Sequence, residues 1–334
     1  MSVARLMQMA AAGSAGAGPE PSGWTDPDLA NASYDSVSFS VAGQESTPQS
    51  VFFKPDGTKV YVAGNTGNDI NEYDLSTAWD VSSATFVQNF SVGTQEPTPQ
   101  GVVFKPDGTR MYVTGSSVGG RVHEYNLSTA WDISTAAYLQ TLDVSSFQSI
   151  ATGLFFKTDG TKLFTVGRSS DDVNEFSLST AWDTSSASHV QNFSVATQET
   201  DPSDLYFSPD GTKMFIIGYS GNDVNEYNIG TAWDISTAIY SENFSVASQE
   251  TLPLGIFFKP DGSKMYIVGQ ATDTIYQYTT GTVTPATFTY PSSVDWPSGT
   301  APDAPAVGET DVLVFYTEDG GTTYQGFQAG DAMS

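Results

Sequence analysis

Short apolar runs alternate with tight polar turns along this chain, and the alternation repeats. A run such as 51–53 (Val-Phe-Phe) is followed by 54–58 (Lys-Pro-Asp-Gly-Thr), in which proline fixes φ and glycine supplies a positive φ. A second run follows at 60–62 and a third, with alternating polarity, at 69–75. After a Ser-Thr-Ala-Trp-Asp loop, a fourth run covers 86–92. Four short strands per unit, with nothing helical between them, predict one blade of a β-propeller.

The turn motif occurs five times at a nearly constant spacing. Its aspartates are Asp56, Asp107, Asp159, Asp210 and Asp261, so the steps are 51, 52, 51 and 51 residues. A fixed period of this size indicates a repeat architecture in which each unit packs on its neighbours. The repeat therefore predicts an all-β fold.

The number of strands predicts how the ring closes. Five units carry the first three strands, but only four carry the fourth strand, which starts near Phe86, Tyr138, His189 and Tyr240. Residues 33–41 match the missing fourth strand, so they should complete the last blade and cover its edge. The prediction is a closed five-bladed β-propeller of four-stranded antiparallel blades over residues 33–281. A six- or seven-bladed ring completed by the C-terminal segment is the alternative.

The two ends of the chain lack the repeat and define two further predicted domains. Residues 1–32 are predicted to be an anchor segment followed by a linker rich in Gly, Ala and Pro, with a signal peptide as the alternative. Residues 282–334 are predicted to be a Pro-rich linker and a small C-terminal β-hairpin. The turn of this hairpin is placed at 318–321, Glu-Asp-Gly-Gly.

Composition excludes several classes of partner and chemistry. The chain has 38 Asp and Glu against 12 Lys and Arg, a net charge of −26, which argues against nucleic acid or an anionic membrane as partner. It has no cysteine, so disulfides, thiol nucleophiles and thiolate metal sites are excluded. No apolar run approaches the roughly 18 residues that a membrane-spanning helix needs.

Residues that recur at one position in four of the five units are predicted to be structural. The loop tryptophans should pack between blades rather than stack on sugars, because a residue fixed at one position of each blade usually serves packing. The recurrent glutamates of the third strand should form structural pairs, with the turn lysines as candidate partners, because a catalytic carboxylate pair is normally unique. The sets are Trp79, Trp131, Trp182 and Trp233; Glu72, Glu124, Glu175 and Glu226, with Gln277 in the fifth unit; and Lys54, Lys105, Lys157 and Lys259.

The two histidines are also explained by the repeat. His123 stands where other units have Asn71, Asn174 and Asn225, and His189 stands where they have an aromatic residue. Neither accompanies a serine nucleophile or a ligand cluster at motif spacing. No catalytic residue is therefore predicted.

Function is expected where the units differ. The loops between strands two and three, and between strand four and the next blade, share one face and are rich in Asn, Asp, Gln, Thr and Ser. Such groups hydrogen-bond to sugar hydroxyls or coordinate Ca²⁺, while ordinary polar turns are the alternative. No cofactor is predicted beyond this Ca²⁺ option. The predicted ligand-binding residues are Arg121, Arg168, Asp171, Tyr219, Asn222 and Gln270.

Both ends carry a resemblance. Residues 4–13 resemble the opening of structural proteins from tailed phages of marine bacteria. Residues 307–313, 315–324 and 330–332 are similar to the ends of phage tail-fibre-like proteins. The repeats resemble propellers of the same proteins and of secreted bacterial proteins. The resemblance implies a virion component: a tail fibre, a receptor-binding protein or a capsid decoration.

The functional prediction is accordingly a non-enzymatic phage structural protein located in the virion. Its propeller would bind a host-surface glycan or a neighbouring virion protein. The prediction includes no nucleic-acid partner and no membrane insertion, and it leaves open whether the protein forms a homo-oligomer. Attachment to other virion proteins is assigned to Arg5, Leu6, Met7 and Met9. Two alternatives remain: a polysaccharide-degrading propeller enzyme, and a secreted bacterial binding propeller that requires Ca²⁺.

Overall fold

A computed structural model describes residues 24–117, 119–282, 294–296, 310–316 and 323–333. The predicted anchoring residues Arg5, Leu6, Met7 and Met9 lie outside these ranges. The described chain begins with a long strand, β1 (Pro27–Ser40), and continues through four blades of the same pattern. In each, three strands are followed by a short 3₁₀ turn and a fourth strand.

The strands of the ring follow in chain order. Blade 1 contains β2 (Pro48–Phe53), β3 (Lys59–Gly64), β4 (Asp69–Leu75) and β5 (Ala84–Ser91). Blade 2 contains β6 (Pro99–Phe104), β7 (Arg110–Gly115), β8 (Arg121–Leu127) and β9 (Ala136–Asp143). Blade 3 contains β10 (Gly153–Phe156), β11 (Lys162–Gly167), β12 (Asp172–Leu178) and β13 (Ala187–Ser194). Blade 4 contains β14 (Pro202–Phe207), β15 (Lys213–Gly218), β16 (Asp223–Ile229) and β17 (Ala238–Ser245). Blade 5 contains β18 (Pro253–Phe258), β19 (Lys264–Gly269) and β20 (Thr274–Thr282).

Blade 5 takes its fourth strand from the N-terminal part of the chain. Its strand order is β1-β20-β19-β18, and β1 pairs antiparallel with β20. The closing strand begins at Pro27, six residues before the predicted start, and its register shifts twice, between Asp28 and Ser33 and between Tyr34 and Val37. The predicted five-bladed propeller with an N-terminal closing strand is confirmed.

The Pro-Asp-Gly turn is built by its own side chains. In blade 1, Asp56 Oδ1 accepts hydrogen bonds from Thr58 N at 3.0 Å and from Thr58 Oγ1 at 2.6 Å. Gly57 has φ of 73°, and a Cβ there would lie 2.4 Å from the ring of Trp79. Glycine is therefore required twice, by its backbone conformation and by the tryptophan that covers it.

The loop tryptophans pack between blades, as predicted. Trp131 of blade 2 lies beside Phe104 of its own blade and beside Phe52 and Tyr61 of blade 1. Its carbonyl accepts a hydrogen bond from Tyr61 Oη at 2.7 Å. The apolar area that each tryptophan removes from water thus joins neighbouring blades.

Trp24 occupies the corresponding place in blade 5, which has no loop tryptophan of its own. Its side chain is 8% exposed and lies 3.4 Å from the position of a Cβ on Gly262, the glycine equivalent to Gly57. Thr25 N donates to the Asp261 carbonyl at 2.9 Å, which ties the segment to the turn of blade 5. The N-terminal segment therefore supplies both a strand and a core side chain.

The recurrent glutamates are buried in ion pairs, but not with the lysines that the sequence suggested. Glu72 is 2% exposed and pairs with Lys59 at 2.6 Å. Lys54 instead pairs with Asp56 of its own turn at 2.7 Å. The partner comes from the start of the second strand, because Lys59 and Glu72 lie on adjacent strands, whereas Lys54 is held in the turn.

A small sheet forms the described part of the C-terminal region. Its strands are β21 (Val294–Asp295), β22 (Thr310–Tyr316) and β23 (Tyr324–Met333), in the order β21-β23-β22. The antiparallel pair β22–β23 confirms the predicted hairpin, whose turn at 318–321 lies outside the described residues. The ring and this sheet fall in different compact units, the ring in Pro19–Thr282. No helix among the described residues is long and apolar enough to cross a membrane.

Candidate functional site

The loops that join strands two and three, and strand four to the next blade, form what we call the upper face. Each blade anchors them on a buried side chain: Glu45, Glu96, Gln148, Glu199 and Glu250, all at most 1% exposed. Glu45, for example, accepts hydrogen bonds from Thr47 N at 2.7 Å and from Thr66 N at 3.0 Å. Much of the polar character of these loops is therefore structural, since the four glutamate carboxylates satisfy backbone donors.

One turn position in these loops has a left-handed backbone in four blades. Asn68, Asp171, Asn222 and Asp273 have φ between 50° and 54°. In the amide orientation that satisfies its partners, Asn222 Nδ2 donates to the carbonyls of Tyr219 at 2.9 Å and of Thr251 at 2.7 Å. The predicted ligand residue Asn222 thus has a structural role, because its side chain holds its own loop and the following blade.

Asp171 occupies the same turn position but has no amide to donate. Its Oδ1 is buried and has no hydrogen-bond partner. Burial raises the pKa of Asp171, and the nearby carboxylates of Asp201 and Asp172 raise it further. A proton on this carboxyl would restore the donor that asparagine provides in two other blades.

Arg168 and Tyr219 are brought into contact across the junction of blades 3 and 4. The guanidinium Cζ lies 4.8 Å from the centre of the Tyr219 ring, which is cation–π geometry. Nε and Nη2 of Arg168 are buried and have no hydrogen-bond partner. Burial lowers the pKa of Arg168, and this is opposed by Tyr219, Asp201 and Glu199.

Asp201 completes this group of side chains. Tyr219 Oη donates to Asp201 Oδ1 at 3.2 Å, and Ser220 Oγ donates to Asp201 Oδ2 at 2.9 Å. We call Arg168, Asp171, Asp201, Tyr219 and Ser220 the Arg168 cluster. It breaks the symmetry of the ring, because Arg168, Tyr219 and Asp201 are not repeated in the other blades, although Asp273 of blade 5 matches Asp171.

The structure brings together three of the six predicted ligand residues, namely Arg168, Asp171 and Tyr219. Arg121 begins β8 in blade 2, where its cross-strand partner is Asp143, and Gln270 lies in blade 5 with its N–H bonded to the Leu252 carbonyl. Neither belongs to the cluster. Whether any of the six binds a ligand remains a prediction.

Sequence reasoning missed Asp201, although a signal was present. The residue before the first strand's proline is Thr47 in blade 1, Thr98 in blade 2 and Leu252 in blade 5, so an acid there is exceptional. This difference between the units was missed because Asp201 lies in a loop that is polar in every unit.

A second asymmetric acid, Asp204, lies in a small cavity lined by the first strands of all five blades. Its Oδ1 accepts from Leu205 N at 2.9 Å, and its Oδ2 accepts from Ile256 N at 3.3 Å and Ser50 Oγ at 3.5 Å. Burial raises its pKa to about 8, against the opposing effect of these hydrogen bonds. Asp204 thus links blades 4, 5 and 1 inside the protein as a mainly protonated acid at neutral pH.

Asp204 has this space because three of the other four blades have glycine at its position, Gly101, Gly153 and Gly255, and the fourth has the small Ser50. A Cβ on Gly153 would lie 2.7 Å from the Asp204 Cα, and one on Gly255 would lie 2.7 Å from the Ser50 Cα. The first strands therefore approach each other too closely for side chains at every position. The enclosed position of Asp204 favours a structural role over contact with a substrate.

The histidines are packed, in agreement with the sequence-based interpretation. His123 is 2% exposed, its Nδ1 lies 2.9 Å from Thr141 Oγ1, and burial lowers its pKa. His189 stacks on Phe147 with ring centres 3.8 Å apart. Within the described residues, no group of three or more His, Asp or Glu is arranged to hold a metal ion.

Comparison with known proteins gives similarity only at the level of solved structures. No family model matches the chain. No curated protein matches it either. Hydrazine synthase from Kuenenia stuttgartiensis is 15% identical, with 85% of this chain and 66% of that chain covered and a TM-score of 0.44.

Two further matches are named as lactonases. One is a candidate 6-phosphogluconolactonase from Bacteroides uniformis, at 12% identity, with 85% of this chain and 71% of that chain covered and a TM-score of 0.42. The other is the periplasmic gluconolactonase of Pseudomonas aeruginosa, at 18% identity, with 70% and 66% covered and a TM-score of 0.42. The chain spans just under two thirds of the hydrazine synthase and of the Pseudomonas protein.

These matches contradict the prediction of a non-enzymatic phage virion protein. All three carry the names of enzymes, and none of the three is named as a phage, tail-fibre or capsid protein. The short terminal segments that carried the phage resemblance lie largely outside the described residues, so the β-propeller is the part of that resemblance that stands. Likeness at this level extends to the fold, and any activity has to follow from the side chains of this chain.

Proposed function

We propose that this protein is a hydrolase that acts on an acidic carbohydrate, with the Arg168 cluster as its active site. The observation that carries the proposal is Arg168, whose buried Nε and Nη2 have no partner in the protein. A guanidinium edge of this kind pairs with a carboxylate or phosphate through two parallel hydrogen bonds. Sugar acids and phosphorylated sugars present such groups.

The neighbouring carboxyls supply the chemistry of hydrolysis. Asp171, whose pKa burial raises, would act as the general acid that protonates the leaving oxygen. Asp201 would act as the general base that takes a proton from the attacking water, held in place by Tyr219 and Ser220. The water oxygen then forms the new bond to carbon as the C–O bond of the substrate breaks.

Substrate access involves a local rearrangement. Because Nε and Nη2 of Arg168 are buried, an anion would reach them through a shift of the loop at 168–171. Two charge-assisted hydrogen bonds to the anion would stabilise the shifted loop. Tyr219 would keep the guanidinium plane oriented during the change.

The test is hydrolysis by the full chain of phosphorylated sugar lactones and uronate-containing oligosaccharides. The Arg168→Ala variant should lower kcat/KM by about 30-fold, the effect of losing hydrogen bonds to a charged group. The matched control is Arg121→Ala, which removes an arginine of blade 2 and should leave kcat/KM unchanged. Absence of hydrolysis across the panel, or equal kinetics for both variants, would overturn the proposal.

A further inference from the structure

Three blades share one arrangement of three side chains at their outer edge. A glutamate of the third strand faces a glutamine of the fourth, whose amide also reaches the loop aspartate of the next blade. In blade 1, Gln88 Nε2 donates to Glu72 Oε2 and to Asp132 Oδ1, both at 2.9 Å. Blades 2 and 3 repeat these hydrogen bonds, all at 2.8 Å. In blade 2, Gln140 Nε2 donates to Glu124 and Asp183. In blade 3, Gln191 Nε2 donates to Glu175 and Asp234.

Blade 4 departs from this arrangement at one position. Glu242 replaces the glutamine and is the cross-strand partner of Glu226. An ionised carboxylate cannot donate a hydrogen bond, and Glu226 Oε2 is buried without a partner. Glu226 is 1% exposed, so water cannot readily supply the missing donor.

The N-terminal segment enters the same site. Blade 5 has no loop aspartate, and Asp26, two residues after Trp24, lies 3.3 Å from the Nζ of Lys213. Lys213 also pairs with Glu226 Oε1 at 2.6 Å. One ammonium group therefore pairs with two carboxylates, those of Glu226 and Asp26, while Glu242 lies opposite Glu226 on the adjacent strand.

A charge count sets blade 4 apart. In blade 3, Glu175 and Asp234 face one cation, Lys162, which leaves one negative charge; in blade 1 the third carboxylate near Lys59 is that of Asp74, whose side chain is 57% exposed. In blade 4, Glu226, Glu242 and Asp26 face Lys213 alone, which leaves two. Two further carboxylates close to Asp26, those of Asp210 and Asp28, add more negative charge.

We propose that Glu226 and Glu242 share a proton, and that this proton makes the junction a pH-sensitive latch for the N-terminal segment 24–26. The shared proton restores the hydrogen-bond donor that glutamine provides in the other blades. When both carboxyls are ionised, they repel each other and Asp26, and the segment that carries Trp24 loosens from the ring. Because this segment leads directly into β1, the latch acts on ring closure.

The electrostatics give the direction of the pH effect. Burial raises the pKa of Glu226 to about 7, opposed by Lys213 and reinforced by Glu242 and Asp26. Burial also raises the pKa of Asp26. An acid whose pKa is higher in the folded state stabilises that state below the unfolded pKa, and the stabilisation is lost as pH rises toward 7.

Hydrogen exchange of the full chain tests the latch at pH 5.5 and pH 8.0. The probe is the protection of residues 24–40 relative to 84–91 in blade 1, a ratio that cancels the intrinsic pH dependence of exchange. We expect this ratio to fall about tenfold or more in the wild type. In Glu242→Gln, which recreates the arrangement of the other blades, the ratio should stay constant.

The matched control introduces a pair of glutamates into blade 3. Gln191→Glu places a second carboxyl opposite Glu175 in blade 3 and should make residues 231–237 of the next blade lose protection at pH 8.0. An unchanged pH response in Glu242→Gln would overturn the proposal. Restoration of wild-type protection at pH 8.0 by 1 mM Ca²⁺ would also overturn it, because the carboxylates would then hold a cation rather than a proton.

Discussion

Gln277 donates its side-chain amide to Asp35 at 2.9 Å across the strand pair that closes the ring. Blades 1 to 3 have the opposite order, with the acid on the third strand and the amide on the fourth. Asp35 also accepts from Lys264 Nζ and Thr279 Oγ1, both at 2.6 Å. The closing strand therefore carries the carboxylate that its blade lacks, so the pairing distinguishes this strand from those of other blades.

We predict that Asp35→Asn lowers the free energy of unfolding by about 2 kcal/mol at pH 7, because hydrogen bonds to a charged group are lost. Urea unfolding provides the measurement. The control is Asp74→Asn, since Asp74 pairs with Lys59 at a side-chain exposure of 57% and should cost less than about 1 kcal/mol. Equal losses in both variants would contradict the prediction.

The carboxylate of Asp35 should also make the stability of the folded ring depend on pH in the acid range. Burial alone would raise the pKa of Asp35, but hydrogen bonds from Lys264, Thr279 and Gln277 hold it below its ordinary value. A lowered pKa contributes stability above the unfolded pKa, and this is lost as pH falls below about 4. The wild type should therefore lose more stability than Asp35→Asn between pH 5 and pH 3 in urea unfolding. Parallel curves would show that Asp35 is not responsible.

A comparison of Lys59 with Lys54 tests the assignment of ion pairs. Lys59→Ala leaves the buried carboxylate of Glu72 without its cation and should cost about 3 kcal/mol. Lys54→Ala removes a pair with Asp56, whose side chain is 51% exposed, and should cost less than about 1 kcal/mol. Thermal unfolding of both variants decides between them, and a larger loss in Lys54→Ala would reverse the assignment.

Trp24 should contribute to stability as a core residue. Because it is 8% exposed beside Gly262, Trp24→Ala is expected to lower the free energy of unfolding by about 3 kcal/mol. Asn31→Ala, an exposed position in β1, serves as the control and should cost less than about 0.5 kcal/mol. Wild-type stability of Trp24→Ala in urea would mean that the segment before Pro27 does not pack on blade 5.

The buried carboxyl of Asp204 should make the folded protein less stable as pH rises. Its pKa of about 8 in the folded protein lies above the ordinary value of 3.8, so its stabilisation is complete below pH 4 and is lost as pH rises toward 8. This loss amounts to at most about 1.4 kcal/mol per pH unit. Asp204→Asn keeps an acceptor but cannot ionise, so its stability in urea should fall less between pH 5 and pH 8. A decline identical to that of the wild type would contradict the role of Asp204.

Much of the architecture was predictable because it depends on neighbours in sequence. The Pro-Asp-Gly turn, the alternation of apolar residues and the period of 51 or 52 residues predict the strands, and counting the fourth strands predicts closure by residues 33–41. The recurrent tryptophans and glutamates were recognised as structural because each set occupies one position in four of the five blades. The functional prediction failed because it rested on short terminal segments rather than on the ring.

The sequence by itself determined the repeat, the number of blades and the strand that closes them, since these follow from local turn chemistry and strand patterning. Only the tertiary structure decided that Lys59 rather than Lys54 neutralises Glu72, that Trp24 completes blade 5, and that Asp201 joins Arg168. These contacts depend on how adjacent strands and blades face one another. Their register is set when five blades close into a ring, which brings together residues as distant as Asp35 and Gln277.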